Sequence, residues 1–329
     1  MYDVARLAGV SQTTVSFVVN NVTSAAISQE TRDRVWAAIR TLGWRPNTVA
    51  RSLRTRHSQT LGLISDEVVI SPYAVRVILG AQEAAWNNRQ MLLLVNTSGQ
   101  QDIEQTALQF MLERQVEGLI YATMYHHEVT PPIGITTVPT ILVNCFVADR
   151  SLPAIIPDEV QGGYTATETL IRRGHRRIAF INEIIPMPAL FGRLEGYRRA
   201  LTEYGLPFDQ SLVRSCHSNA HDAFSAARDL LERPDRPTAI FCFNDKMAMG
   251  VYDAIKRLGL RIPQDVAVIG FDNLELIAAQ LYPPLTTIEL PHYEMGKRAV
   301  ELLQSLPAGE SLTPTQHYIP CPLIERASV

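Results

Sequence analysis

Residues 2–21 read YDVARLAGVSQTTVSFVVNN, and the glycine followed two positions later by a serine decides how they fold. The first seven of these residues favour a helix with Val4, Ala5, Leu7 and Ala8 turned inward, and Gly9 stops it. Ser11 is a natural N-cap for a second helix over 12–20, because its hydroxyl can accept from a backbone N–H of the first turn. On that helix Val15, Val18 and Val19 recur at i, i+3 and i+4 and form one apolar stripe. The opposite face carries Gln12, Thr13, Ser16 and Phe17. Two short helices joined by a glycine turn, the second exposing polar groups near its start, suit entry into a DNA major groove. A third helix completes the bundle, with Ser28 as cap, Val35, Ile39 and Leu42 as stripe and Gly43 as stop. Taken by itself, the pattern also fits a plain three-helix bundle with one polar face.

Charge separates the same region from the rest of the chain. Residues 1–60 hold eight Arg against Asp3, Glu30 and Asp33, a net of +5, whereas the remainder holds 22 basic and 30 acidic side chains, a net of −8. A basic head on an acidic body points to a polyanion partner for the head, since Arg side chains that neutralise phosphates drive nonspecific nucleic-acid affinity. After Pro46 and Asn47, residues 48–56 read TVARSLRTR. A helix this short is marginal in water. With Arg51, Arg54 and Arg56 it reads as a linker that orders on DNA. Leu53 in it serves either as a wedge between base steps of the minor groove or as an anchor on its own domain.

From Thr60 onward, short β-rich runs alternate with amphipathic stretches. LGLI, MLLLV, GLIYA, TILVN, RIAFI, AIFCF and VAVIGF are the strand candidates, and 73–88, 103–115, 190–205, 245–258 and 274–281 the helices between them. This alternation predicts parallel sheets covered by helices, with ligands bound beyond the carboxyl ends of the strands. The length exceeds one such sheet, so two lobes with a cleft are expected. No G-x-G-x-x-G after a strand, P-loop, G-x-S-x-G or H-E-x-x-H occurs, which argues against an enzyme and against a cofactor. Cys145, Cys216, Cys242 and Cys321 are scattered without metal or redox spacing, so reduced thiols and no metal are expected. The N-terminus lacks an apolar h-region and no stretch is long enough to span a bilayer. A cytoplasmic protein without membrane contact is the expectation. The basic run Arg172, Arg173, His175, Arg176 and Arg177 ends a predicted helix, where cations complement the dipole, and is read as structural rather than phosphate-binding.

The order and spacing of YDVARLAGVSQTTVSFVVNN, PNTVARSLRTR and TLGLI resemble the LacI/GalR family of repressors. The likeness continues through LIRRGHRRIAFI, GRLEGYRRAL, CFNDKMAMGVYDAI, DVAVIGFDN and PPLTTIELP. It implies a helix-turn-helix domain over 1–46, a hinge helix and linker over 47–58, and an effector and dimerisation domain over 59–329. The last is an α/β, two-lobed domain like a periplasmic sugar-binding protein, crossing between lobes near 158, 289 and 319. That places lobe 1 at about 59–157 and 290–318, and lobe 2 at 158–289 and 319–329.

Carried over by position, Gln12, Thr13 and Phe17 read bases, Thr14, Ser16 and Asn20 anchor phosphates, and Leu53, flanked by Arg51 and Arg54, is the wedge. Phe17 stands where some members have Arg or His, so an apolar contact to a thymine methyl replaces a bidentate contact to guanine. Only Met1 precedes Tyr2, and backbone contacts made there in longer members are not expected. In the cleft the resemblance points to Arg193, Asn244 and Asp272 as effector contacts, with Tyr73, Asp158 and Phe191 on cleft-facing loops. For these, structural roles stand beside the functional ones: Arg193 pairs with a neighbouring carboxylate, or Asp245 beside Asn244 caps its helix. Ser218 replaces an aromatic found in several members. The implied protein is a homodimer on a palindromic double-stranded operator, controlled allosterically by a sugar or sugar derivative. The C-terminal LIERASV shows no leucine heptads, so no tetramerising coiled coil is expected. The alternative is a solute-binding protein without a regulatory role.

Overall fold

A computed structural model of the chain describes residues 1–22, 25–44, 58–70, 74–305, 313 and 315–329. The chain separates into two compact units, Met1–Ser58 and Gln59–Val329. Arg51, Leu53 and Arg54 of the expected hinge, and Tyr73, lie outside the described residues. Among the described residues no helix is long and apolar enough to cross a membrane.

The first unit contains α1 (Tyr2–Ala8), α2 (Gln12–Val19) and α3 (Gln29–Leu42). The caps follow the local chemistry. Ser11 Oγ accepts from Thr14 N at 3.0 Å, and Ser28 Oγ from Thr31 N at 3.3 Å. Gly9 and Gly43 close α1 and α3 at φ of 66° and 58°, where a side chain would be strained. Val4, Ala5, Ala8, Val15, Val18, Val35, Ala38 and Ile39 form the core, with Val10, Val19, Ile27 and Trp44 against it. Two expected core residues are on the surface: Leu7 is 54% and Leu42 45% exposed. Helices this small touch their partners along a narrow stripe, which Ala5 and Ala38 help to fill.

The second unit holds two six-stranded sheets. The first is built from β1 (Thr60–Ser65), β2 (Met91–Asn96), β3 (Gly118–Glu128), β4 (Thr140–Phe146), β5 (Ala154–Pro157) and β11 (Gln316–Ile319), in the order β11-β5-β4-β3-β1-β2. All its pairings are parallel. The second is built from β6 (Ile178–Glu183), β7 (Val213–Cys216), β8 (Ala239–Cys242), β9 (Ala267–Asp272), β10 (Thr286–Glu289) and β12 (Leu323–Ile324), in the order β12-β10-β9-β8-β6-β7. Only β12 runs antiparallel to its neighbour. Every residue of β6 and β8 is buried, as a parallel strand covered on both faces requires. Phe180 and Phe241, paired across these strands, stack at 4.4 Å between centroids.

Helices α4 (Val75–Asn87), α5 (Gln101–Glu113) and α11 (His292–Gln304) pack on the first sheet. Helices α6 (Glu159–Arg172), α7 (Pro188–Glu203), α8 (Ala220–Leu231) and α9 (Asp245–Arg257) pack on the second, beside the one-turn α10 (Glu275–Ala278). The stretch 274–281 read as a longer helix, but Asp272 and Asn273 both have positive φ and Pro283 and Pro284 follow, leaving one turn. Several helix pairs meet backbone to backbone. A Cβ on Gly163 of α6 would lie 2.4 Å from Arg193 O, and one on Gly196 of α7 would lie 2.2 Å from Val160 O. The basic run after α6 is engaged within the fold: Arg172 with Glu168 at 2.9 Å, Arg173 with Glu325 at 3.3 Å, and Arg177 with Asp235 at 2.6 Å. All four cysteines are free thiols, three of them buried.

The α6–α7 contact makes a direct test of this packing. Gly163→Ala places a methyl against main chain that cannot withdraw, and overpacking of this kind costs about 1–3 kcal/mol. Chemical denaturation is expected to show that loss.

Candidate functional site

The carboxyl ends of the strands in both sheets, and the helix starts that follow them, border one cleft of about 470 Å³ within the second unit. Met124, Tyr125, His126 and Asn144 line it from the first lobe. Glu159, Glu183, Arg193, His217, Ser218, Phe243, Asn244, Lys246 and Asp272 line it from the second.

Arg193 is the most heavily engaged side chain in the cleft, 3% exposed on the inner face of α7. Its Nε donates to Glu159 Oε2 at 2.7 Å and one Nη to Glu159 Oε1 at 3.4 Å, a two-point grip. The other Nη donates to Phe243 O and lies 3.7 Å from Asp272 Oδ1. The guanidinium plane sits 3.6 Å from the Phe271 ring centroid and 4.3 Å from that of Phe243. The structural role considered for Arg193 is therefore present, with Glu159 as the carboxylate. Glu159 is held there by its place in the first turn of α6, next to the Gly163–Arg193 backbone contact.

Asn244 caps α9 itself: its Oδ1 accepts from Met247 N at 2.9 Å, and its Nδ2 donates to Ser218 Oγ. Asp245, considered for that cap, is instead fully buried and accepts from Leu274 N at 2.7 Å and Thr287 Oγ1 at 2.6 Å. Asp272 ends β9 at a φ of 104°, a strained conformation for any side chain but glycine. Burial pushes its carboxyl up to about 7 against the pull of Arg193, with Glu159 adding to the rise.

Arg193, Asn244 and Asp272 are brought together as the sequence suggested. Asp158 and Phe191 are not among the residues lining this cleft. Asp158 turns its carboxylate to Gln161 N at 2.9 Å and caps α6, while Phe191 lies on the outer side of α7, 61% exposed. Seven polar lining residues went unread: Tyr125, His126, Asn219 and the four that follow. Asn144 lies two residues before the end of β4, at a φ of 61°, and donates through Nδ2 to Thr123 O and Met124 O at 3.1 and 3.0 Å. Glu183 ends β6 with Oε1 accepting from Ile184 N and Ile185 N at 2.7 and 3.1 Å. Glu159 and Lys246 begin helices. These four sit near strand ends or in the first turns of helices, the positional rule that picked out Asn244 and Asp272.

In the first unit Gln12, Thr13, Phe17 and Asn20 are exposed and Thr14 and Ser16 half-buried, on the face of α2 away from Val15 and Val18. Asn20 Nδ2 donates to Ser16 O at 2.7 Å and reaches Ser16 Oγ at 3.2 Å, closing the end of the helix.

The raised Asp272 acidity has a signed consequence. A carboxyl whose folded value lies above its unfolded one favours the fold while protonated, so that contribution is complete below about pH 4 and lost as pH rises through about 7. Unfolding free energies measured from pH 5 to 8 should fall more steeply for the wild type than for Asp272→Asn.

Comparison with known proteins agrees with both units. The family described as "Bacterial regulatory proteins, lacI family" matches residues 1–47, and "Periplasmic binding proteins and sugar binding domain of LacI family" matches residues 58–327. The ribose operon repressor of Haemophilus influenzae is 35% identical over 306 residues, covering 92% of this chain and 90% of that protein. The HTH-type transcriptional repressor PurR of Vibrio atlanticus is 34% identical over 303 residues, with the same shares. The solved lac repressor dimer bound to operator and the anti-inducer ONPF aligns with a TM-score of 0.76 at 28% identity, covering 99% of this chain and 98% of that one. With a helix-turn-helix unit followed by a two-lobed α/β unit, each matched along nearly its whole length, the chain belongs to the LacI family of DNA-binding transcriptional repressors and is not an enzyme.

Proposed function

We propose that the protein acts as a cytoplasmic homodimer that reads a palindromic operator through α2 and takes an uncharged, polyhydroxyl effector of the sugar class in the cleft. Gln12, Thr13 and Phe17 read base edges; Thr14, Ser16 and Asn20 hold phosphates; Leu53, between Arg51 and Arg54 in the hinge over 47–58, is the minor-groove wedge. Arg193, Asn244 and Asp272 contact the effector, with Tyr73 assigned from the sequence alone.

The observation that carries the effector class is the set of polar side chains in the cleft. Asp272, whose carboxyl near pH 7 can accept or donate, borders the cavity with Glu183 and Asn144, and the Arg193 guanidinium there is already bonded to Glu159 and Phe243 O. Hydroxyl groups both donate and accept, and so match them. An anionic effector would find the Arg193 guanidinium already bonded to Glu159, with Lys246 the other cation of the lining. The kinship to a ribose operon repressor supports the same class, and the dimer seen in the operator-bound lac repressor supports the assembly. Effector and operator would be coupled by about 1–3 kcal/mol, the usual span for allosteric linkage.

Selection of bound genomic fragments at several salt concentrations tests the reading. A palindromic motif whose affinity shifts with a neutral sugar supports it. Salt-sensitive binding without a motif, or an operator affinity unmoved by any sugar or answering to a nucleobase instead, contradicts it.

Substitutions divide the two roles. Gln12→Ala and Phe17→Ala should each cost about 1–3 kcal/mol of specific operator affinity, and Leu53→Ala should weaken specific binding, all with effector affinity intact. Asp272→Asn should do the reverse. Arg193→Ala is a poor effector-side probe, because leaving buried Glu159 unpaired costs about 3–5 kcal/mol of fold stability.

A further inference from the structure

The polar cleft residues just described, Arg193, Asn244, Glu183 and Asn144, each make hydrogen bonds inside the protein. His126 does not. Both ring nitrogens, Nδ1 and Nε2, are buried with no hydrogen-bond partner among the described residues, while the ring borders the cleft from the first lobe. Its neighbour His127 shows the ordinary outcome, with Nδ1 2.8 Å from Tyr125 O.

His126 lies in the irregular part of β3, where the pairing with β4 shifts between Ala122 and His127. Its ring meets Phe146 edge-on, with centroids 5.5 Å apart at 77°, and Arg150 covers that phenyl ring at 3.5 Å. Burial first, and then the charges of Arg150, His127 and Arg193, push the imidazole down to about 4. The ring is therefore neutral near pH 7, with one N–H donor and one bare acceptor nitrogen. Burying both without partners is costly, and a native protein that does so calls for an explanation. The Phe146 edge packed against the ring offers no acceptor. The residue borders the cleft, and because both nitrogens are closed to solvent a ligand there reaches them only as the ring turns about its side-chain bonds.

We infer that His126 is a specificity-determining effector contact, hydrogen-bonding one hydroxyl of the ligand from the first lobe while Asp272 and Glu183 engage it from the second. The inference rests on the cleft being the effector site for a polyhydroxyl ligand. A hydroxyl can donate to the bare nitrogen or accept from the protonated one, so the ring discriminates between sugars that place a hydroxyl there and analogues that lack it.

The test is calorimetric titration of the full-length protein with D-ribose, a panel of other neutral pentoses and hexoses, and the monodeoxy derivatives of whichever sugar binds tightest. Wild type, His126→Leu, His126→Gln and Asp272→Asn are compared, with melting temperatures taken without ligand. The expected result is a loss of about tenfold or more in His126→Leu, largely restored in His126→Gln. One monodeoxy analogue should bind wild type and His126→Leu equally. Unliganded His126→Leu should melt no lower than wild type, because the apolar side chain leaves nothing unsatisfied.

Equal weakening towards every analogue together with a lower melting temperature would make the role structural and overturn the inference. Unchanged affinity in His126→Leu, with Asp272→Asn weakened, rejects His126 and keeps the cleft. If neither substitution changes affinity, or no sugar binds, both readings fall.

Discussion

The second lobe is organised around one buried cation. Arg193 has almost no contact with water, and an ionised guanidinium survives there only because Glu159, the Phe243 carbonyl, Asp272 and two phenyl faces surround it. A buried ion pair seldom adds net stability over an apolar substitute, since desolvation offsets most of the attraction. What it supplies is position: the pair tolerates little displacement, so α6 and α7 must meet in one register. Gly163, Gly192 and Gly196 allow that meeting, with Gly192 and Gly196 facing Glu159 and Val160 where any side chain would intervene. The cleft inherits its geometry from this contact, because Arg193 and Glu159 are at once the clamp between two helices and part of the wall.

The same economy runs through the other cleft residues. Asn244 lines the cavity and caps α9 with one side chain, and Glu183 lines it while accepting from two backbone N–H groups. Asp245, directly behind Asn244, ties the start of α9 to Leu274 and Thr287. A cleft built on such bonds is set before any ligand enters, which limits the ordering that binding must impose.

Much of this was legible in the sequence because it depends on local chemistry. Ser11, Ser28, Gly9 and Gly43 cap and close helices by rules that operate within four residues, and the β-rich runs from LGLI to VAVIGF all became strands. β5, β7, β10, β11 and β12, none longer than four residues, were not among the strand candidates. Burial of Leu7 and Leu42 was overestimated because helical spacing gives the direction of a side chain and not the distance to the partner helix. In the cleft, Arg193 could be placed from its motif, but not Glu159, which is 34 residues away in sequence and meets it only through the crossing of two helices. Asp158 and Phe191 illustrate the converse: closeness in sequence to cleft residues does not turn a side chain inward once a cap or a helix's outer face has claimed it.

Close helix contacts recur outside α6 and α7. Gly80 and Gly296 lock α4 to α11, and Gly250 sets α9 against Ala220 of α8, each with a carbonyl within about 2 Å of where a Cβ would stand. Main chain pressed on main chain has no flexible side-chain ends through which one helix could slide past another, so each lobe is a stiff block. Between the blocks run three single-chain connections, from β5 to α6, from β10 to α11 and from β11 to β12. Mechanically these are the only covalent links, among the described residues, between two closely packed blocks. Any movement of one lobe against the other has to be taken up in these three connections.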